Sequence, residues 1–209
     1  MTGLPGRNTI VPMSQKFFAV ISRMKYINRW ALMRNTISEN ISEHSLETAF
    51  IAHVLALIRN RRFGGSANAE RAALLAMYHD ATEIITGDLP TPVKYYNREI
   101  RSVYGEIERN ATEQLLGYLP DYLRDDYRDL FDTGKAGDAD KELWPLVKAA
   151  DKISALIKCL EERRMGNDDF QSAEKATLAA IHALKLPEAE LFLDEFIPAY
   201  SLTLDEQAR

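Results

Sequence analysis

The sequence predicts an all-α fold, an orthogonal helical bundle, on three observations. Apolar residues recur at three- and four-residue spacing through most of the chain. No stretch alternates strictly with period two, the mark of a half-buried strand. Gly, Pro and capping residues fall where the helical period breaks. There is no internal repeat or low-complexity segment.

In chain order, Met1 to Met13 carries Pro5, Gly6, Arg7 and Pro12 without an apolar run, so residues 1–12 read as a loose tail rather than a signal peptide. Residues 13–209 read as one domain, the number that 209 residues favour. Gln15 to Tyr26 is an opening amphipathic helix, with Phe17, Phe18, Ile21 and Met24 spaced for burial. A second helix spans Ser42 to Arg61, with one apolar stripe of Leu46, Ala49, Phe50, His53, Val54, Leu57 and Ile58, and ends at Phe63-Gly64-Gly65. A third opens after Ser66 or Asn68 with Glu70 in its first turn. Its face is Ala73, Leu74, Met77, Tyr78 and Ala81, and its end delivers His79, Asp80 and Glu83. Gly87-Asp88-Leu89-Pro90 is a turn, and Thr91-Pro92 starts a helix to about Leu116, since Pro at the first helical position costs no hydrogen bond. A short helix follows Pro120-Asp121, and Gly134 to Asp140 is a polar loop. Helices then run from about Lys141 to Arg164, Asp169 to Leu184 and Pro187 to Phe196.

Charge excludes some function classes. With 26 basic against 31 acidic residues and a net charge of −5, the surface is not a nucleic-acid groove, and no nucleic-acid polymer is expected as partner. Apolar runs such as Ala72 to Tyr78 fall far below the ~18 residues of a membrane span, so no membrane partner is expected. The lone Cys159 rules out an intrachain disulfide, fits a reducing cytoplasm and reads as a small core hydrophobe.

The chemistry concentrates in His44, the pair His79-Asp80, and Asp151, distributed as the ligands of one divalent metal would be in an all-helical phosphohydrolase. Two of only 4 histidines are committed to that set. Imidazole nitrogen with carboxylate oxygen suits one divalent transition metal such as Mn, Fe, Co, Ni or Zn better than Ca or an all-oxygen Mg cage. Neighbours on an ideal helix point about 100° apart, so His79 and Asp80 share an ion only if it sits over the helix edge. Asp151 lies on a face with Val147, Ala150, Ser154 and Ile157, where a carboxylate needs a partner; Lys148 or Lys152 is the purely structural candidate. His53 reads as a packed core histidine, His182 as packing or a partner of a helix C-terminus, and Trp144 as an anchor.

Four blocks extend the pattern: Asn28-Arg29-Trp30, Ser42-Glu43-His44-Ser45, Tyr78 to Glu83, and Thr86 to Pro92. With Asp151 and Lys158 to Glu162 they resemble the bacterial 5′-deoxynucleotidases of the HD-domain phosphohydrolase superfamily, from about Phe17 onward. The resemblance implies a bundle of the HD-domain type, a homodimer, and hydrolysis of deoxyribonucleoside 5′-monophosphates with Co, Mn or a similar ion. It also implies that His44, His79, Asp80 and Asp151 are the ligands, with His44, Asp80 and Asp151 also touching substrate. Arg29 then offers a planar fork of donors to phosphate, against a bland reading as a surface cation. Trp30 packs on the deoxyribose and leaves no room for a 2′-hydroxyl, against a core or interface aromatic.

Glu83, one helical turn after His79, holds water or accepts a proton. Asp88 either accepts from the 3′-hydroxyl or protonates the leaving 5′-oxygen, against a capping role. Asp88, Leu89, Pro90 and Thr91 form the sugar wall. Asp80 or Asp151 could also orient the attacking water, and the general acid stays open among the carboxylates. Two further readings stand beside this one: an HD-type enzyme acting on a cyclic nucleotide, triphosphate or hyperphosphorylated guanosine nucleotide, and a non-catalytic helical dimer with a structural metal. Leu191, Phe192, Phe196 and Ile197 exceed the needs of one core and could meet a second copy.

Overall fold

The computed structural model describes residues 16–94, 96–131 and 138–208. The expected tail of residues 1–12, most of the Gly134 to Asp140 loop and the Thr91 side chain lie outside that description. Among the described residues every regular element is helical, apart from one antiparallel bridge between Asn28 and Asn40. The helices are α1 (Phe17–Ile21), α2 (Ile41–Arg62), α3 (Ala69–Tyr78), α4 (Glu83–Thr86), α5 (Thr91–Lys94) and α6 (Arg98–Leu116). After them come α7 (Asp121–Phe131), α8 (Asp138–Lys141), α9 (Trp144–Arg164), α10 (Gln171–Ala183), α11 (Pro187–Glu195) and α12 (Leu204–Gln207).

Three of these build the core. α2 packs on both α3 and α9, and α10 and α11 close the far side. Small residues permit the approach: Ala49, Ala52 and Ala56 of α2 and Ala72 and Ala76 of α3 are all buried, with Leu55, Leu75, Leu146 and Ile153 filling between. α2 starts on a capping box, in which the Asn40 side chain accepts from the backbone N–H of Ser42 and Glu43 while Glu43 reaches back to Asn40. His44 is thereby held in the first turn of α2.

Several elements differ from expectation. The opening helix is α1 followed by a 3₁₀ turn over Ser22–Tyr26. The helix expected from Thr91 to Leu116 is two, because Asn97 accepts from the Ile100 N–H at 2.8 Å and starts α6 afresh. α3 ends at Tyr78, and the chain tightens through i→i+3 hydrogen bonds, Ala81 to Tyr78 and Glu83 to Asp80, before α4.

The α2 stripe is the largest difference. Leu46, Phe50 and Leu57 are 49%, 66% and 38% exposed, whereas Ile41, His44, Thr48, Ile51 and Leu55 are buried. α2 carries apolar residues around most of its circumference, and docking against α3 and α9 selects which arc is covered. By length and composition alone α2 is apolar enough to cross a membrane, but 56% of the window concerned is buried inside the fold, as for a core helix.

Candidate metal and substrate site

Three helices deliver the expected donors to one place. His44 comes from the first turn of α2, His79 and Asp80 from the tight turn after α3, and Asp151 from the second turn of α9. One ligand atom from each lies within 4.8 Å of the others. His44 Nε2 is 3.2 Å from Asp151 Oδ1 and 3.5 Å from Asp80 Oδ2, and His79 Nε2 is 3.2 Å from Asp80 Oδ2 and 3.9 Å from Asp151 Oδ1. The partners of Asp151 are therefore imidazoles rather than Lys148 or Lys152. His79 keeps helical backbone angles at the end of α3 and Asp80 follows in the i→i+3 turn, and their side chains meet over the helix end.

The imidazoles are oriented from behind. His79 Nδ1 donates to the Ala76 carbonyl at 2.7 Å, which leaves the Nε2 lone pair facing the carboxylates. That Nε2 is buried and lacks a well-aligned hydrogen bond. His44 Nδ1 lies 3.0 Å from Ser154 Oγ, and the Ser154 hydroxyl donates to Glu47. The sequence reading placed Ser154 only on the face of Asp151 and did not name Glu47. Their signal was readable as spacing, since each follows a candidate ligand, His44 or Asp151, by one helical turn.

Electrostatics match a cation site. Burial opposes charge on His79, but Asp80 and Asp151 outweigh it and raise its pKa well above the usual imidazole value. Against burial, His79 holds Asp80 down to about 2, and His44 and His79 hold Asp151 well below the carboxylate range. Burial, then Arg29, lowers His44. The carboxylates stabilise a proton on His79 at the point where a metal ion would take the same lone pair. Two imidazole nitrogens and two carboxylates suit a divalent transition ion, and the orphaned His79 Nε2 fits that role.

Around this cluster stand the other expected residues. Arg29 Nη1 is 2.7 Å from His44 Nδ1 and donates to Glu39 Oε2 at 3.0 Å. Trp30 Nε1 donates to the same Glu39 oxygen at 2.9 Å, and the Trp30 N–H donates to Asp88 Oδ2 at 3.3 Å. Arg29 is thus largely buried rather than a surface cation. Glu83 is buried, and one of its oxygens has no hydrogen-bond partner. Burial, followed by the charges of Asp80 and Asp88, pushes its pKa up to about 9. Burial raises Asp88 as well. Leu89 and Pro90 are half-buried, and α5 begins at Thr91.

The remaining candidates stand apart from the cluster. His53 is half-buried on the open side of α2, and His182, in the last turn of α10, pairs with Glu190 at 2.8 Å. Trp144 heads α9 and packs against the core, and Cys159 is fully buried, with its thiol pushed up to about 12 by that burial. Such a thiol is unreactive.

Comparison with known proteins agrees with this geometry. The family model described as 5′-deoxynucleotidase YfbR-like matches residues 16–200. The chain belongs to that family. Within the YfbR-like family, a protein from Shigella boydii named 5′-deoxynucleotidase YfbR is 50% identical over 190 residues, 91% of this chain and 94% of its own length. The protein of the same name from Escherichia coli shows the same identity and coverage. Among solved structures, an HD-domain phosphohydrolase from Listeria innocua superposes with a TM-score of 0.76 at 24% identity, over 92% of each chain. A conserved hypothetical protein from Pyrococcus furiosus gives 0.64 at 25% identity, over 88% of this chain and 97% of its own. The Listeria innocua neighbour establishes the HD-domain fold.

Proposed function

We propose that this YfbR-like chain is a metal-dependent 5′-deoxynucleotidase, hydrolysing deoxyribonucleoside 5′-monophosphates to deoxynucleoside and phosphate and selecting against ribonucleotides. The observation that carries it is the convergence of His44, His79, Asp80 and Asp151 within 4.8 Å, with Arg29 Nη1 only 2.7 Å from a ligand imidazole. The names and the 50% identity of the two relatives support the substrate class and favour it over other phosphoesters.

In this reading the four residues hold one divalent ion, Co, Mn or similar, which when bound supplies positive charge against phosphoryl oxygens and acidifies water. With Nε2 facing Asp80 and Asp151, His44 would offer that nitrogen to the ion, which would leave its proton on Nδ1 to be donated to Ser154. That proton turns Nδ1 from acceptor to donor. The Arg29 N–H facing it then needs another acceptor, which a phosphate oxygen provides. His44, Asp80 and Asp151 border the phosphate, and Trp30 fills the space a 2′-hydroxyl would need. Asp88, Leu89, Pro90 and Thr91 wall the sugar. Proton delivery to the leaving 5′-oxygen falls to Glu83 or Asp88, carboxyls beside the cluster whose pKa burial raises.

We further read residues 13–209 as one domain, supported by a core running from α2 to α11. A homodimer is supported by the exposed Leu46, Phe50 and Leu57 on α2. A cytoplasmic setting, with neither nucleic-acid polymer nor membrane as partner, is supported by the free Cys159 and the net charge of −5.

The test is phosphate release from paired 2′-deoxy and ribo 5′-monophosphates, after chelation and after return of Co or Mn. The expected pattern is loss on chelation, recovery with metal and preference for the deoxy member; Trp30→Ala weakens that preference. Metal-loaded protein that cleaves another phosphoester but no deoxynucleotide would overturn the substrate assignment.

A further inference from the structure

Glu39 lies outside the metal cluster, yet one of its oxygens receives both side chains that would face substrate. Glu39 Oε2 accepts from Arg29 Nη1 at 3.0 Å and from Trp30 Nε1 at 2.9 Å. The carboxylate is only 14% exposed, and Arg29 12%. The Glu39 carbonyl also accepts from the Arg29 N–H at 2.9 Å, and Ile41 N–H donates to Ile27 at 3.0 Å. Glu39 thus closes the neck of the 28–40 loop and grips Arg29 through both backbone and side chain.

Trp30 needs such a hold. Its φ of 60° is a left-handed conformation that bulky residues rarely adopt. Asp88 takes its N–H, Asn35 donates to its carbonyl at 3.2 Å, and Phe170 packs on the ring at 5.3 Å. The indole N–H itself is fixed by Glu39 alone among the described contacts. A carboxylate oxygen suits the task, because it has two lone pairs for two donors and its charge balances the guanidinium.

We propose that Glu39 is a positioning residue that locks Arg29 and Trp30 into one relation, and that discrimination between deoxyribose and ribose depends on this lock. The proposal rests on the reading above, in which Arg29 faces phosphate and Trp30 faces sugar. Without the carboxylate the indole can rotate and open space beside the sugar, while the guanidinium loses its fixed bearing on the phosphate.

The chain has 2 tryptophans, so its ¹H–¹⁵N spectrum holds two indole N–H signals. In Glu39→Ala one indole signal shifts and the other stays. With cobalt-loaded enzyme, the kcat/KM ratio between 2′-deoxyadenosine and adenosine 5′-monophosphate falls about tenfold, the usual worth of a lost charge-assisted hydrogen bond. Glu39→Gln keeps an acceptor for the indole, so the signal and the sugar ratio return toward the parent while KM rises for both nucleotides.

An active Glu39→Ala enzyme with an unchanged ratio, or with both indole signals unmoved, overturns the proposal. Should Glu39→Ala not fold, Glu39→Gln decides, and an unaltered KM for both nucleotides refutes the lock. If the parent protein releases no phosphate from any deoxynucleotide, the hydrolase reading fails by itself, and the indole signals still judge Glu39.

Discussion

Ser154 shows how much chemistry rests on one small side chain. Its hydroxyl lies 3.0 Å from His44 Nδ1, from which it would accept once a metal occupies Nε2, and it donates to Glu47, whose pKa burial raises above the usual carboxylate range. Removing it leaves the Nδ1 proton with no acceptor, so Ser154→Ala is expected to weaken cobalt binding ten- to a hundredfold, the usual range for loss of such a support. Titration of the apo protein followed by visible absorption measures this, and an affinity equal to the parent's refutes it. Glu83 allows a second check. At neutral pH it carries a proton, which it loses as pH rises toward about 9. A nearby divalent cation lowers that value, so kcat should fall along an alkaline limb at or below about pH 9, and the limb should vanish in Glu83→Gln. A limb that survives the substitution assigns proton delivery elsewhere.

The 28–40 loop is anchored to α9 as an element. Glu162, 1% exposed, accepts from the Thr36 and Ile37 N–H groups, from Lys158 one turn earlier and from Asn167, whose amide also donates to the Arg34 carbonyl. Burial opposes charge on Glu162, but these donors hold its pKa down to about 2 from an ordinary 4.5. A folded-state value below the unfolded one stabilises the fold above pH 4.5, and that stability is lost as pH falls from 4.5 toward 2. The contribution is about 3 kcal/mol. Urea unfolding should therefore lose stability more steeply between pH 4.5 and 2 in the parent than in Glu162→Gln, and equal slopes would exclude this account. Residues such as Lys158 and Glu162 were visible as a motif, but their task was not, because the loop they hold lies more than a hundred residues away in sequence.

At the scale of the whole molecule, α2 has two apolar arcs and one chain covers only one. Burying the other against a second copy would make Phe50, 66% exposed, a central contact. Phe50→Asp is expected to turn the proposed dimer into a monomer by light scattering without lowering helical content by circular dichroism, since the Phe50 side chain lies on the exposed arc of α2. A parent protein already monomeric at micromolar concentration contradicts this.

From the amino-acid sequence alone came the all-α class, the positions of the long helices, and, with the family resemblance, the four candidate donors with Arg29, Trp30, Glu83 and Asp88. Period, caps and local spacing encode helices, and short motif blocks spread along the chain carry the candidates. Tertiary structure alone decided which arc of α2 is buried, that His79 and Asp80 meet His44 over the end of α3, and that Asp151 pairs with imidazoles. It also brought Glu39, Glu47 and Ser154 to their partners. These outcomes depend on which surfaces dock, and docking is set by packing among α2, α3 and α9, which no local period records.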